Sequence, residues 1–381
     1  MRVKEISVYK VHLPFRKPFG HSLALRNNSE SIMVKAVSDT GLEGYGEGLP
    51  RSYVTGESQD TVIQKISDEY IDLFVAQQYK HTRHVLDTFN GHSPVREKES
   101  GVFPGAALCA VEGALLDLYA RAEKKPLCKI IGSDSKRDVY YSAVLSTGSF
   151  FHSMKMLLKI RAYGFRNIKV KVTGPSDIQI VKIARMLMGK VCSIRADANL
   201  AWDFDEALRY IGEMSASGLE SIEEPLKDNS PENVVSIQEQ TGTPVIVDEG
   251  LCSYEDGLNL VQKGFKGIFN IRLSKCGGIA QALKLVQLAN ENGIRYQLGC
   301  QVGESAILSA LGRHFAIVHP LLLYLEGSYG THILKEDISE EDIRFGYRGR
   351  GVPLEKEGLG VSVIESRMEE FGKKVLTRTL I

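Results

Sequence analysis

Apolar and polar positions divide the chain into two parts with different periods. From about residue 137 onward, short apolar runs alternate with segments whose apolar residues recur at helical spacing. The polar ends of these runs recur about every 26 residues, which is enough chain for one strand, one helix and two short loops. Eight such runs predict a parallel α/β barrel, with a doubly wound open sheet as the alternative. Neither of the common glycine-rich nucleotide-binding motifs follows a run.

The first 125 residues follow a different pattern. Residues 2–12 and 31–39 alternate as antiparallel strands around a polar loop, 14–30. The glycines that follow favour hairpin turns; they are Gly41, Gly44, Gly46 and Gly48. We therefore predict an α/β protein of three parts: an α+β capping domain, 1–125; a modified TIM barrel, (β/α)7β, 126–335; and a C-terminal segment, 336–381, that completes the cap.

Charged residues stand at five consecutive run ends of the predicted barrel. In chain order they are Lys169 with Lys171, Asp197, Glu223, Asp248 and Lys275. Active sites of such barrels lie at the C-terminal ends of the strands. One carboxylate there commonly caps a helix, but five charged ends in succession do not fit that explanation. Converging carboxylates repel one another unless a cation binds them, and an all-oxygen set suits Mg²⁺ or Mn²⁺ rather than Zn²⁺.

The lysines have a predicted role in proton transfer. Lys169 and Lys171 lie one residue apart in NIKVKV and so share a face of the strand. Lys171 and Lys275 fall on opposite sides of the predicted ring, where each could serve one face of a substrate carbon. We expect Lys171 to be the general base and Lys169 to hold the negative oxygen and lower the pKa of Lys171. The metal would stabilise the resulting enolate.

The motifs in this order resemble those of the enolase superfamily, in its muconate-lactonizing subgroup. They are KVKV, RADAN, IEEP, VDEG and NIRLSKCGGI, with GYGE and AVEGALLDLYA before them and GLGV after them. The resemblance implies Mg²⁺ on Asp197, Glu223 and Asp248, and acid/base lysines at 171 and 275. Asn199 would lie beside the metal. Glu249 should point off the inner face and support the ligands or cap a helix.

The resemblance leaves several reactions open. The subgroup contains dipeptide epimerases, N-succinylamino-acid racemases, muconate cycloisomerases and o-succinylbenzoate synthases. No histidine ends the strand in QLGCQVGES, which disfavours the mandelate-racemase branch. Dipeptide epimerases carry Asp-x-Asp after strand 8, whereas YLEGSYG offers only Glu326. We expect a Mg²⁺-dependent racemase or epimerase acting α to a carboxylate or amide, on a dipeptide or N-acyl amino acid. A muconate cycloisomerase or o-succinylbenzoate synthase reaction is the alternative, and a non-catalytic binding protein a remote one.

Specificity is expected from the rim of the barrel. The candidate substrate-binding residues are Glu304, Glu326, Arg26 and His21, with Arg16 in the same predicted loop. A formal net charge of zero gives no reason to expect nucleic acid or a membrane as a partner. The N-terminus lacks a signal-peptide pattern, and six dispersed cysteines suit a reducing cytosol. We predict a soluble cytoplasmic homo-oligomer that binds a small-molecule carboxylate or amide.

Overall fold

The computed structural model describes residues 1–21, 24–132, 136–146 and 148–380. Its N-terminal part begins with three strands: β1 Val3–His21, β2 Ala24–Ser38 and β3 Glu43–Gly48. Helices follow: α1 Gln59–Lys65, a π-helix Ile66–Val75, α2 Thr82–Gly91, α3 Gly105–Ala122 and α4 Leu127–Ile131. The last elements of the chain are α13 Glu365–Phe371 and β13 Gly372–Thr379.

The second part alternates strands and helices. After β4 Val139–Tyr140, its strands are β5 Ala143–Leu145, β6 Asn167–Lys171, β7 Ser193–Asp197, β8 Ser221–Glu223, β9 Val245–Val247, β10 Ile268–Ile271 and β11 Arg295–Leu298. Its helices are α5 Phe150–Ala162, α6 Pro175–Met188, α7 Phe204–Ala216, α8 Pro231–Thr241, α9 Tyr254–Gln262, α10 Leu273–Cys276, α11 Ile279–Glu291 and α12 Ala306–Val318. The short β12 Arg350–Gly351 pairs with β4.

Two sheets organise the described chain. A four-stranded antiparallel sheet has the order β13-β1-β2-β3, and a seven-stranded parallel sheet has the order β11-β10-β9-β8-β7-β6-β5. The C-terminal strand thus joins the N-terminal sheet, with Val8 opposite Leu376. The predicted fold class, a modified barrel with an α+β cap, is confirmed. The residue boundaries proposed for the three parts stay a prediction.

The predicted eighth strand is reduced to a bridge. Leu325 pairs in parallel with Leu298 of β11, without forming a strand in the described residues. On its other side, the backbone carbonyl of Leu325 accepts a hydrogen bond of 2.7 Å from the N–H of Ser142, just before β5. This segment therefore closes the ring between the first and last strands of the parallel sheet.

Two expectations for the cap are wrong. Residues 14–30 are not simply a polar loop, because β1 and β2 continue through much of this range, with Phe19 opposite Arg26. The later glycines of GLEGYGEG do not make hairpin turns, because they lie in β3 against α3. A Cβ added at Gly46 would lie 2.1 Å from the backbone oxygen of Ala110, so these glycines allow strand and helix backbones to touch.

Buried carboxylates of the cap hold it on the barrel. The carboxylate of Glu112, on α3, accepts hydrogen bonds from the N–H groups of Ile279 and Ala280 at the start of α11. That of Glu47, on β3, accepts the hydroxyl of Ser305 at 2.7 Å, at the start of α12. Helix N-termini carry unpaired N–H groups and partial positive charge, which these acids satisfy. Of the helices in the described ranges, none has the length and apolarity that crossing a bilayer requires.

Candidate active site

Neighbouring strands of the barrel end with charged side chains at one level. Lys171, Asp197 and Glu223 are the last residues of β6, β7 and β8, and they are register partners across the sheet. Asp248 follows β9 directly. The carboxyl ends of parallel strands meet at one edge, so alternation of faces turns these four side chains inward together. The three carboxylates are at most 2% exposed.

A cavity of about 200 Å³ opens at this edge, between the barrel and the cap. Five cationic side chains contribute to its described lining: Arg26, Arg51, Lys169, Lys171 and Arg272. The lining carboxylates are Asp197, Glu249 and Glu326. Cations thus outnumber carboxylates in the described lining, five to three.

Lys169 is buried among acids at the cavity floor. Its Nζ lies 3.3 Å from carboxylate oxygens of both Asp197 and Glu223, and 2.9 Å from Oε1 of Glu326. Burial alone would lower the pKa of Lys169, but these three carboxylates raise it above the ordinary value. Lys169 therefore stays protonated. Its partners neutralise much of the charge of this ammonium group.

Lys171 has a much freer ammonium group. It donates one hydrogen bond, 2.8 Å long, to Oδ1 of Asn199, and lies 3.9 Å from Asp197. Its side chain is 19% exposed, toward the cavity. Asn199 has a left-handed backbone (φ 46°), and its N–H donates to Oδ1 of Asp197. This local turn positions the amide that orients Lys171.

Lys275 does not line the cavity. It lies in the helical turn α10, beyond the end of β10, and its side chain is fully buried. Its Nζ donates to the backbone oxygens of Asp248 at 2.5 Å and Asn270 at 3.0 Å, and to Oδ1 of Asp248 at 2.9 Å. An ammonium has three protons to donate, and three oxygens accept them. The placement of Lys275 across the substrate from Lys171 stays a prediction.

Arg272 lies at the cavity wall where Lys275 was expected. It follows β10 directly, as Asp248 follows β9, and its guanidinium contacts the carboxylate of Asp248 and lies 3.7 Å from Glu223. Burial lowers the pKa of Arg272, but Glu223 and Glu326 raise it further, so its net shift is upward. A guanidinium here stays charged and is a poor proton acceptor.

Glu326 lines the cavity but is already paired. Besides Lys169, it accepts a 2.5 Å hydrogen bond from the fully buried guanidinium of Arg195. Burial raises the pKa of Glu326, but Lys169 and Arg195 outweigh this and lower it to about 2. Both cations pair with this carboxylate, so it has little capacity left for a substrate ammonium.

The other predicted acids differ from expectation. Glu304 is absent from the described cavity lining, because its carboxylate turns back to accept the N–H of Gln301 at 2.7 Å. Glu249 was expected to point off the inner face, yet it lines the cavity with Oε2 buried and without a hydrogen-bond partner. Burial, and then Glu224, raise the pKa of Glu249 to about 8. Glu249 is therefore largely neutral at neutral pH.

Of the predicted loop residues Arg16, His21 and Arg26, the structure places Arg26 in the cavity lining. Arg26 lines the cavity and pairs with Glu30 at 2.9 Å. Arg16 instead donates to the backbone oxygen of Thr331 and is not in the described lining. The side chain of His21 lies outside the described residues. Arg51, which sequence patterns did not single out, also lines the cavity.

The donor chemistry of the three carboxylates fits a hard divalent cation. Asp197, Glu223 and Asp248 offer only oxygen, converge at adjacent strand ends and are buried together. Among the described residues, no three acidic, histidine or cysteine side chains are already arranged to hold a metal ion. Lys169 and Arg272 bridge the carboxylates instead. Buried acids at this spacing require positive charge, which a metal ion and these side chains could each supply.

The family follows from sequence comparison. Residues 154–367 match the family model described as enolase C-terminal domain-like, and residues 3–132 match the N-terminal domain of mandelate racemase and muconate lactonizing enzyme. The chain belongs to the enolase superfamily, in its muconate-lactonizing subgroup. The predicted membership and the predicted class, an enzyme of isomerase or lyase type, are confirmed.

Individual relatives have related activities. A hydrophobic dipeptide epimerase of Enterococcus faecalis is 30% identical over 83% of this chain and 87% of its own. An N-succinyl-L-Arg/Lys racemase of Bacillus cereus is 27% identical over 97% of this chain and 98% of its own. The crystal structure of a dipeptide epimerase from Cytophaga hutchinsonii, complexed with Mg and the dipeptide D-Ala-L-Val, has a TM-score of 0.85. It is 24% identical and covers 98% of this chain and 99% of that one. Members of this superfamily use a divalent metal and act on small molecules.

Proposed function

We propose that the protein removes the proton α to a substrate carboxylate or amide, with Lys171 as the base. For inversion, as in a racemase or epimerase, an acid at the opposite face returns a proton to the same carbon, and Lys275 is the residue proposed for that step. The observation that carries this proposal is the state of Lys171. Its ammonium reaches the cavity from a strand end beside three buried acids, and one amide oxygen orients it. Most of its hydrogen-bonding capacity remains for a substrate.

Deprotonated Lys171 would accept the α-proton, while Asn199 keeps its Nζ directed at the reacting carbon. The ammonium of Lys169, fixed by its acidic neighbours, would lie close to the negative charge that develops on the substrate oxygen. Asp197, Glu223 and Asp248 would hold Mg²⁺ or Mn²⁺, which supplies further positive charge to stabilise the enolate. For the metal to bind there, Arg272 would withdraw from Asp248.

We assign the substrate to the N-acyl amino acids rather than to dipeptides with a free ammonium group. The chemical reason is the state of the carboxylates that line the cavity. Glu326 is paired twice, Glu249 is largely neutral and Asp197 is a proposed metal ligand. No lining carboxylate among the described residues is left to bind an ammonium group. An amide nitrogen requires no such partner.

A second candidate function follows from the side of the cavity formed by the end of β10. Lys275 is saturated by three oxygens, and Arg272 is a poor base, so a reaction that needs only one base fits this wall better. Muconate cycloisomerisation and the elimination that forms o-succinylbenzoate begin with the same proton abstraction and are the candidates of this kind. Lys275 as a second base stays a prediction.

Deuterium exchange tests the proposal and separates the candidates. The purified protein is incubated in D₂O and Mg²⁺ with D and L forms of N-acyl amino acids, separately, and with dipeptides, and NMR follows the α-proton. We expect exchange and formation of the opposite enantiomer. Exchange of one enantiomer without inversion would favour the one-base candidate. Exchange of no substrate, or exchange of both enantiomers that persists in Lys171→Ala, would contradict the assignment of Lys171. Lys182→Ala, an exposed lysine on α6, is the matched control.

A further inference from the structure

Arg51 is a buried guanidinium without an acidic partner. It follows β3 in the cap, lines the cavity and is 3% exposed. Its two hydrogen bonds go to neutral groups, the backbone oxygens of Pro50 at 2.8 Å and Val302 at 2.7 Å. Among the described residues, no carboxylate lies within ion-pair distance of it. Buried charges in proteins are normally paired, so this position is unusual.

The charged groups around Arg51 also favour an anionic ligand beside it. Burial, and then the neighbouring charges of Arg26 and Arg272, lower the pKa of Arg51 to about 10, which still leaves it charged at neutral pH. The carboxylate that raises this pKa, Glu30, is itself paired with Arg26 at 2.9 Å. Arg26 and Arg272 thus have carboxylate partners, Glu30 and Asp248, whereas Arg51 has none among the described residues.

We propose that Arg51 binds a second carboxylate of the substrate, so that the enzyme acts on dianionic N-acyl amino acids. This inference rests on the proposed function, in which the α-carboxylate lies on the barrel side, near Lys169 and Lys171. Arg51 projects from the cap and would meet the far end of the same molecule. A guanidinium binds a carboxylate through two parallel hydrogen bonds, which gives both affinity and orientation.

The second carboxylate has two possible sources, the acyl group and the amino-acid side chain. Two matched ligand pairs distinguish them, each replacing one carboxylate by an amide of equal size. N-succinyl-L-leucine is compared with N-succinamoyl-L-leucine, and N-acetyl-L-glutamate with N-acetyl-L-glutamine. Titration calorimetry in Mg²⁺ buffer gives the four dissociation constants for the wild-type protein.

We expect the dianion to bind about 10- to 100-fold more tightly than its amide in at least one pair. Arg51→Gln should reduce that preference to near one. Arg51→Lys, which keeps the charge but not the planar fork, should retain part of it and serves as the test if the glutamine variant does not fold. Arg83→Gln, an exposed arginine on α2, should keep the full preference.

Several outcomes would overturn the assignment. They are a preference near one in both wild-type pairs, no binding of any of the four ligands, or a preference that survives Arg51→Gln. Equal loss of dianion and amide binding in Arg51→Gln would also overturn it, because Arg51 would then bind the α-carboxylate. Deuterium exchange in the same samples reports on the proposed function separately. A preference that depends on Arg51, without exchange, would contradict that function and leave the Arg51 assignment supported.

Discussion

The two walls of the cavity each carry a lysine near a strand end, and the two lysines differ in what remains free. On the β6 wall, Lys171 donates one hydrogen bond and faces the cavity. On the β10 wall, Lys275 donates three and its side chain is fully buried. The difference teaches that the chemistry of a lysine depends on its unused protons and exposure. Residue type and approximate position do not determine it.

The comparison predicts that Lys171→Ala strongly lowers activity and leaves the stability of the fold nearly unchanged. Loss of a general base commonly costs about 10²- to 10⁴-fold in rate. The free energy of unfolding should change by less than about 1 kcal/mol, because Lys171 is partly exposed and loses one hydrogen bond. Exchange rates and urea unfolding measure both quantities. A variant that unfolds much more readily would show that Lys171 is structural.

Lys275→Met should show the opposite behaviour. Removal of this ammonium takes away the three buried hydrogen bonds that it donates to Asp248 and Asn270, and leaves Arg272 as the partner of the Asp248 carboxylate. Breaking a buried pair of this kind costs about 3–5 kcal/mol, measurable by urea unfolding. A stable Lys275→Met protein that loses exchange with one enantiomer alone would break the comparison, because Lys275 would then be the second base.

Glu326, at the floor between the walls, should give a pH-dependent contribution to stability. Its pKa is depressed in the folded protein, to about 2. Its stabilising effect is therefore present above the unfolded pKa, about 4.5, and is lost as the pH falls toward 2. Glu326→Gln should lower the unfolding free energy by on the order of 2 kcal/mol at pH 7, with a smaller difference at pH 3. Denaturation curves at the two pH values check this. An equal difference at both would contradict the depressed pKa.

Arg272→Lys should have the smallest effect of these variants. It tests whether a lysine directly after β10 can act as a base on that side of the cavity. A lysine at this position can lose its proton far more readily than an arginine. Exchange of the enantiomer that wild-type protein exchanges more slowly should rise about tenfold, a modest part of what a general base contributes. Arg272→Met, which cannot accept a proton, is the control. An equal rise in both variants would attribute the gain to lost charge.

Sequence patterns predicted the fold class and the convergence of Asp197, Glu223 and Asp248. The spacing of strands along the chain and the position of a residue at a strand end do not depend on how the elements pack. These patterns did not predict the surroundings of Lys275 after β10. There the chain turns into α10, so alternation of faces no longer applies at Lys275. Arg272, the residue directly after the strand, could have been found by analogy with Asp248. Arg51 could not, because its place in the cavity depends on how the cap docks. Gly46 serves contact between backbones, which local turn preferences do not reveal.

The segment around Leu325 that closes the ring, here called the seam of the barrel, has a consequence for local unfolding. Beside β11 and β5 the ring is closed by the single segment around Leu325, whereas β6 and β7 pair over five residues. Amide hydrogens at the seam should exchange with solvent sooner than those of the central strands, since they have fewer ladder neighbours. Glu326 lies next to this segment and ties it to Arg195 and Lys169. A ligand that strengthens this charge network would therefore also slow the opening of the barrel wall.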